Sequence, residues 1–256
     1  MLENESLAKI VEEVEAQIYP AVKKIEKIEE YNQQKVIEAF QNKKISDFHF
    51  ADSTGYGYND RGRELLEEIY AEVFGAEAAI VRPHFASGTH TIATALFGML
   101  RPGDHLLYIT GSPYDTLHKM IGEENDGIGS LKDWQIEYDE APLKDGREID
   151  WAAVEEKLKP NTKVIGVQRS RGYDTRPSFS VDQIGEMVRR LKSIRPELAI
   201  FVDNCYGEFT EKKEPADVGA DLIAGSLIKN PGGGIVSSGG YIAGKRKWVE
   251  RAAYRM

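Results

Sequence analysis

Lys229 lies in the run Asp221-Leu222-Ile223-Ala224-Gly225-Ser226-Leu227-Ile228-Lys229-Asn230-Pro231-Gly232-Gly233-Gly234, an amine flanked by apolar residues and followed by glycines. Partial desolvation favours the neutral, nucleophilic form of an amine, and glycines let backbone approach a ligand closely. The pattern therefore suits a lysine that forms a Schiff base with a carbonyl compound. It also suits a surface lysine before a glycine turn, whereas a P-loop fits poorly because the lysine precedes the glycines. Upstream, Ile200-Phe201-Val202-Asp203 predicts a buried strand ending in a carboxylate, which is where an open α/β sheet places ligand groups.

Three further stretches carry candidate binding groups. Ser87-Gly88-Thr89-His90 joins a short apolar strand beginning at Ala78 to a helix over 91–100. A small-residue turn at a helix start aims free N–H groups at an anion, and an ordinary Ser/Thr N-cap would look the same. Tyr114 follows a predicted strand over 105–110, where its ring could stack on a flat heteroaromatic ligand with about 1 kcal/mol of favourable energy, or pack on its neighbours. Between Phe48 and Arg63, glycines alternate with Tyr56, Tyr58, Arg61 and Arg63, a pattern that fits an anion-binding loop or a flexible turn with locally packed tyrosines. The five histidines, His49, His84, His90, His105 and His118, show no metal-ligand spacing, so no metal site is expected, and His90 is the one best placed to touch a ligand. Cys205 reads as a small buried residue, with a reactive thiol as the alternative.

The elements that must position these groups alternate. Apolar residues recur at helical spacing from Leu7 to Phe40, which predicts two amphipathic helices broken at Pro20. A helix over 64–74 closed by Gly75 follows, and then strands over 134–138, 163–168, 198–202 and 239–244 interleave with helices over 151–158, 181–193 and 245–256. Such alternation predicts an α/β fold with a mainly parallel sheet wrapped by helices. The expected division is an N-terminal helical arm over 1–47 and a ligand-binding domain over 48–256. With 256 residues, 41% hydrophobic and 29% charged, the composition is that of a globular protein. A net charge of -9 argues against nucleic acid or an anionic membrane as partner, since both need clustered cations. One cysteine excludes an intrachain disulfide, and the absence of a membrane span or a visible secretory signal makes a cytoplasmic protein the expectation.

A phosphate cradle, a stacking ring, a strand-end aspartate and a lysine in a Gly/Ser loop are together the parts that pyridoxal 5′-phosphate requires. The chain resembles the fold-type I pyridoxal-phosphate enzymes of the cystathionine/methionine γ-lyase group, and within it the methionine γ-lyase-related aluminium resistance proteins. The resemblance covers roughly Phe48 to the C-terminus and is most specific in Ser87-Gly88-Thr89-His90, Val202-Asp203-Asn204-Cys205-Tyr206-Gly207-Glu208 and Gly225 to Gly233. It implies the large domain of the aspartate aminotransferase-like fold. It also implies that Lys229 carries the cofactor and moves the α-proton, and that Asp203 keeps the pyridine nitrogen protonated. Ser87, Gly88, Thr89 and Ser226 would hold the phosphate, and Tyr114 would stack on the ring and help the leaving group. Tyr56 or Tyr58, in preference to Arg61, would reach the phosphate site of a neighbouring subunit, which implies a homodimer or homotetramer with shared active sites.

Two departures from the group stand out. Residues 168–173 replace its usual Ser-Pro-x-Asn pattern, leaving the donor to the cofactor's phenolic oxygen unnamed. Relatives also continue for well over a hundred residues through a small domain that supplies an arginine for the substrate carboxylate, so the expectation is a truncated chain or one that binds cofactor without efficient turnover. The expected function is carbon–sulfur lyase action on a sulfur amino acid. Transamination, aldol cleavage and a non-catalytic role associated with metal or stress resistance are the alternatives.

Overall fold

A computed structural model describes residues 5–52, 60–124 and 128–256. Helix α1 (Glu5–Asn42) is followed by α2 (Arg61–Val73), β1 (Ala78–Arg82), α3 (Gly88–Met99), β2 (His105–Tyr108) and α4 (Asp115–Ile121). Strand β3 (Glu137–Glu140), a small hairpin of β4 (Leu143–Lys144) and β5 (Glu148–Ile149), α5 (Trp151–Lys157), β6 (Thr162–Gln168) and α6 (Val181–Ile194) come next. The described chain ends with β7 (Ala199–Asp203), β8 (Leu222–Ser226), β9 (Gly240–Gly244) and α7 (Arg246–Ala253).

Seven strands form one sheet in the order β1-β9-β8-β7-β6-β2-β3. The pairs β2–β3, β2–β6, β6–β7 and β7–β8 are parallel. Strand β9 runs antiparallel to both β8 and β1, so β1 points the same way as the other five. Six strands therefore deliver their carboxyl ends, and the loops that follow them, to one edge of the sheet. This is the α/β architecture with a mainly parallel sheet that the alternating pattern predicts.

Burial on both faces explains why the central strands read as apolar runs with little alternation. Period-two geometry still sorts them: Ile200 and Val202 of β7 join one core with α6, while Ala199 and Phe201 join the other with α3 and α7. Cap chemistry in the sequence sets the helix starts: α5 and α6 begin as expected, whereas α2 begins at Arg61, three residues before the expected Glu64. Asp60 accepts from the Arg63 N–H at the start of α2, Asp150 from Ala153 N–H at α5, and Ser180 from Gln183 N–H at α6.

Some expectations need correction. Residues 5–42 form one helix that passes through Pro20, not two helices. A proline removes one donor and crowds one carbonyl, costing about 3 kcal/mol, and nothing around Pro20 supplies a cap or a glycine that would end the helix. The C-terminal part of α1 packs through Val36 and Ala39 and is fastened by Asn32, whose amide donates to the Phe209 and Glu211 carbonyls at 2.9 and 3.0 Å. Its N-terminal part leaves Leu7, Ile10, Val14 and Ile18 exposed. Strand β3 begins at Glu137 and not at Trp134, and both β8 and the β4–β5 hairpin were absent from the expected strands. Tyr56 and Tyr58 lie outside the described residues. Among the described residues no helix is long and apolar enough to cross a membrane.

At the amino end of β8, away from the loop-bearing edge, Asp221 ties the sheet to two helices. Its carboxylate accepts from Lys192 at 2.9 Å, Lys245 at 2.6 Å and the Ile200 N–H at 2.8 Å. Burial alone would raise this carboxyl, but Lys245, the Ile200 N–H and Lys192 outweigh it and hold the group below its ordinary value. A folded value below the unfolded one means the stabilisation is present above about pH 4 and is lost as pH falls through the lowered value. Asp221→Asn is expected to lower stability in urea by about 2 kcal/mol at pH 7. The gap between variant and wild type should narrow as pH falls below about 4; a gap that widens in acid contradicts this account.

Candidate functional site

The carboxyl edge gathers the loops after β1, β2, β6, β7 and β8. Asp203 is the last residue of β7, in register with Gln168 at the end of β6 and Ala224 of β8. Ser226 ends β8, and Lys229 directly precedes a short 3-10 helix, Asn230–Gly232. Ser87 caps α3 just past β1, and Tyr114 occupies the N-cap position of α4 beyond β2. Parallel topology thus brings together groups that are far apart in sequence.

Asp203 is 5% exposed, and its Oδ1 accepts the Cys205 N–H at 3.1 Å. Burial raises its carboxyl, against the opposing pull of the Cys205 contacts, Lys229 and Arg176. Lys229 is half-buried, with Nζ 4.1 Å from the centre of the Tyr206 ring. Burial pulls its ammonium down, but Cys205, Asp203 and Tyr206 outweigh it and the net shift is upward. The Cys205 thiol is pushed well up by burial and by Asp203. The flanking apolar residues suggest an amine lowered by desolvation; the contacts with Cys205, Asp203 and Tyr206 instead outweigh burial and raise Lys229.

Beside this pair, the Ser87 side chain accepts the His90 N–H at 3.1 Å, a capping bond that uses its hydroxyl oxygen. The Gly88 and Thr89 N–H groups at the head of α3 have no acceptor among the described residues, as the first turn of a helix dictates. A Cβ on Gly88 would lie 3.2 Å from Ser226 Cβ and 3.8 Å from Cys205 Sγ, so this turn sits directly on the Ser226 hydroxyl. Free N–H groups, a helix dipole and a hydroxyl converge as a phosphate requires. Thr89 Oγ1 lies 2.5 Å from Thr116 Oγ1, joining the heads of α3 and α4. His90 turns away, its Nδ1 accepting the Ala86 N–H at 3.2 Å.

Tyr114 lines a cavity of about 290 Å³ with Gln168, Arg171, Tyr173 and Arg176. The Tyr114 and Tyr173 rings lie 5.7 Å apart with 36° between their planes, and the neighbouring Tyr173 phenol raises Tyr114. Gln168 is 4% exposed; its Nε2 donates to the Ser170 carbonyl at 3.0 Å and its Oε1 has no partner. Arg176 donates to the carbonyls of Gln168, Ser170 and Pro177 and lies 5.2 Å from the Phe179 ring, so its charge is fixed near Asp203.

Beneath Lys229 a polar latch fixes the loop. Asn230 Nδ2 donates to the Tyr206 and Glu208 carbonyls at 3.2 and 2.9 Å. Glu208 is 1% exposed and accepts the Tyr241 hydroxyl at 3.0 Å; a side chain on Gly225 would strike both. Asn204 continues the chain from Tyr241 to Glu214, which pairs with Arg169 at 3.3 Å. Tyr206, with φ of 66°, holds the backbone strain of this turn. Tyr206, Glu208 and Tyr241 were not singled out as candidates. Only Tyr206 carried a visible signal, by following Asp203-Asn204-Cys205.

The residues present suit pyridoxal phosphate: a buried carboxylate that lacks a full cationic partner, an amine beside it, and unpaired N–H groups next to Gly88 and Ser226. The family model described as methionine gamma-lyase matches residues 7–256. The chain is 57% identical to the uncharacterized protein YnbB of Bacillus subtilis, over 98% of this chain and 60% of that protein. It is 28% identical to the L-methionine gamma-lyase of Pseudomonas putida, over 73% of this chain and 42% of that enzyme. A crystal structure of a carbon-sulfur lyase involved in aluminum resistance from Clostridium novyi matches with TM-score 0.93 and 47% identity, over 98% of this chain and 60% of that one. The chain thus spans about three-fifths of the length of YnbB and of the Clostridium novyi protein.

Burial pushes the Glu208 carboxyl up to about 8. A folded value above the unfolded one, about 4.3, makes the stability that depends on this group greatest in acid and progressively lost up to about pH 8. Glu208→Gln keeps an acceptor for Tyr241 and removes the titration. The variant is expected to match wild type near pH 5 and to exceed it above pH 8 by a few kcal/mol in denaturant unfolding. Equal pH slopes for the two proteins would refute the assignment.

Proposed function

This chain belongs to the methionine gamma-lyase family, and from that premise we propose that it binds pyridoxal 5′-phosphate and serves a carbon–sulfur lyase acting on a sulfur-containing amino acid. The observation that carries the reading is the buried Asp203 carboxylate facing Lys229 beside unpaired N–H groups. When bound, the cofactor supplies an electron sink for a substrate that loses its α-proton.

The chain's own residues have separable tasks. Asp203, desolvated and stiffened by the Cys205 N–H, holds a proton on the ring nitrogen by presenting a fixed negative charge. Lys229 would hold the cofactor covalently and, as a free amine, would take and return the proton at the substrate's α-carbon. Gly88 and Thr89 N–H groups, with the hydroxyls of Ser87 and Ser226, would bind the phosphate. Tyr114 would supply a ring to stack on the cofactor and a phenol donor for the departing sulfur. Tyr56 and Tyr58 are assigned to the phosphate site of a neighbouring copy in a homo-oligomer, with residues 1–47 as an arm. Elimination of a thiol is favoured over transamination by Tyr114 and Tyr173, which place two phenol donors in one cavity.

Purified protein mixed with pyridoxal phosphate is expected to show a visible absorption band that borohydride fixes covalently to wild type and not to Lys229→Ala. Asp203→Asn should retain the covalent link and lose at least about a hundredfold in release of keto acid and thiol from a sulfur amino acid. A fixed band that survives Lys229→Ala sinks the assignment of the lysine. Retained cofactor with an amino-group transfer product and no thiol sinks the lyase reading alone.

A further inference from the structure

Ser112 and His118 line the Tyr114 cavity and, with Glu123 behind them, form a second chemical cluster of side chains to which the proposed lysine chemistry assigns no task. Ser112 lies between β2 and α4, His118 in α4, and Glu123 just beyond it. Ser112 Oγ is 3.1 Å from His118 Nε2, and His118 Nδ1 is 3.0 Å from Glu123 Oε2. A carboxylate can only accept, so Nδ1 carries the proton. In the neutral ring Nε2 is then the acceptor, and the Ser112 hydroxyl must donate to it. That is the tautomer in which an imidazole can take a proton from a serine. Lys132, 3.5 Å from Glu123 Oε1, holds the other carboxylate oxygen. The histidine and glutamate side chains are 23% and 33% exposed, whereas Ser112 is open to solvent, so the order from sheltered base to accessible nucleophile is the useful one.

The same cavity offers what an acyl group would need. Ser112 and His118 share its wall with Tyr114, Tyr173 and Arg171, whose phenol and guanidinium groups are donors for a developing oxyanion. We propose that Ser112 is a nucleophile activated by His118 and oriented through Glu123, making this cavity an acyl-transfer site for small carboxylic esters. Ser112 Oγ adds to the ester carbonyl as its proton passes to His118 Nε2. The imidazolium then returns that proton to the departing alkoxide, leaving the acyl group on Ser112. Water attacks by the same route: its proton goes to His118, the acyl–oxygen bond breaks, Ser112 regains a proton and a carboxylic acid leaves. Glu123 is a positioning residue, acting only by fixing the ring and its tautomer.

The test uses an alkyl fluorophosphonate, which captures activated serines, on the purified protein with and without pyridoxal phosphate. The expected result is one label per chain, located on Ser112 by peptide mass spectrometry. Its rate should fall at least about a hundredfold in Ser112→Ala and His118→Asn and at least about tenfold in Glu123→Gln. Lys229→Ala should label as wild type does, which separates this site from the lysine chemistry. For Glu123, a downfield His118 Nδ1–H proton resonance present in wild type and lost in Glu123→Gln distinguishes orientation from a general loss of structure. The proposal is overturned by an unlabelled wild-type protein, by a label on any other residue, by an undiminished rate in His118→Asn, or by a label that depends on Lys229. Because the location of the label is read on wild-type protein, a variant that fails to fold does not protect the idea.

Discussion

A carboxylate buried at the end of a strand is the constraint around which this molecule is arranged. Taking Asp203 out of water is costly unless charge and hydrogen bonds compensate. The compensation comes from the Cys205 N–H, from Arg176 and from Lys229. Each of these demands further structure. Arg176 is held by three backbone carbonyls and the Phe179 ring, which fixes the loop after β6. Lys229 is set by Asn230, which ties its loop to the turn after β7. The parallel sheet supplies the frame, because only strands running the same way deliver Gln168, Asp203 and Ser226 to one edge.

The architecture and the residues lining the site were largely legible in the sequence, and the reason is local. Apolar runs ending in Asp203 or Gln168, and caps such as Ser180 and Asp150, are signals a short window contains. Proline at position 20 misled, because its local penalty is smaller than the cost of ending a helix with no stop signal around it. Charge states were illegible for a different reason. Leu227 and Ile228 beside Lys229 suggest desolvation, yet the groups that raise it, Cys205, Asp203 and Tyr206, come from the neighbouring strand and the turn after it. The latch was illegible for the same reason: Glu208, Tyr241 and Asn204 meet only because β9 lies antiparallel against β8.

That latch explains a sequence feature which the site itself does not. Gly225 precedes Ser226 at the end of β8, and any side chain there would strike Glu208 and Tyr241. The close approach lets a polar network pass under the strand that bears the lysine loop. It continues through Asn204 and Glu214 to Arg169, next to Gln168 at the end of β6. Asn32 of α1 fastens the same turn from outside through the Phe209 and Glu211 carbonyls. The geometry of Lys229 is therefore set mostly by residues that never face the site.

The electrostatics add a consequence for ligand binding. Asp203 stands after Cys205 among the groups that raise Lys229, and one carboxylate cannot satisfy two cations equally. On the proposed reading, a protonated ring nitrogen held by Asp203 would draw on part of the charge that raises the lysine. Desolvation, the opposing influence on Lys229, would then weigh more and favour the neutral amine that covalent attachment needs. Before the ligand arrives, the same pairing spares the protein a buried charge with no partner. On that reading, binding and activation of the nucleophile would be linked through Asp203, which is a reason to keep that carboxylate buried and not solvated.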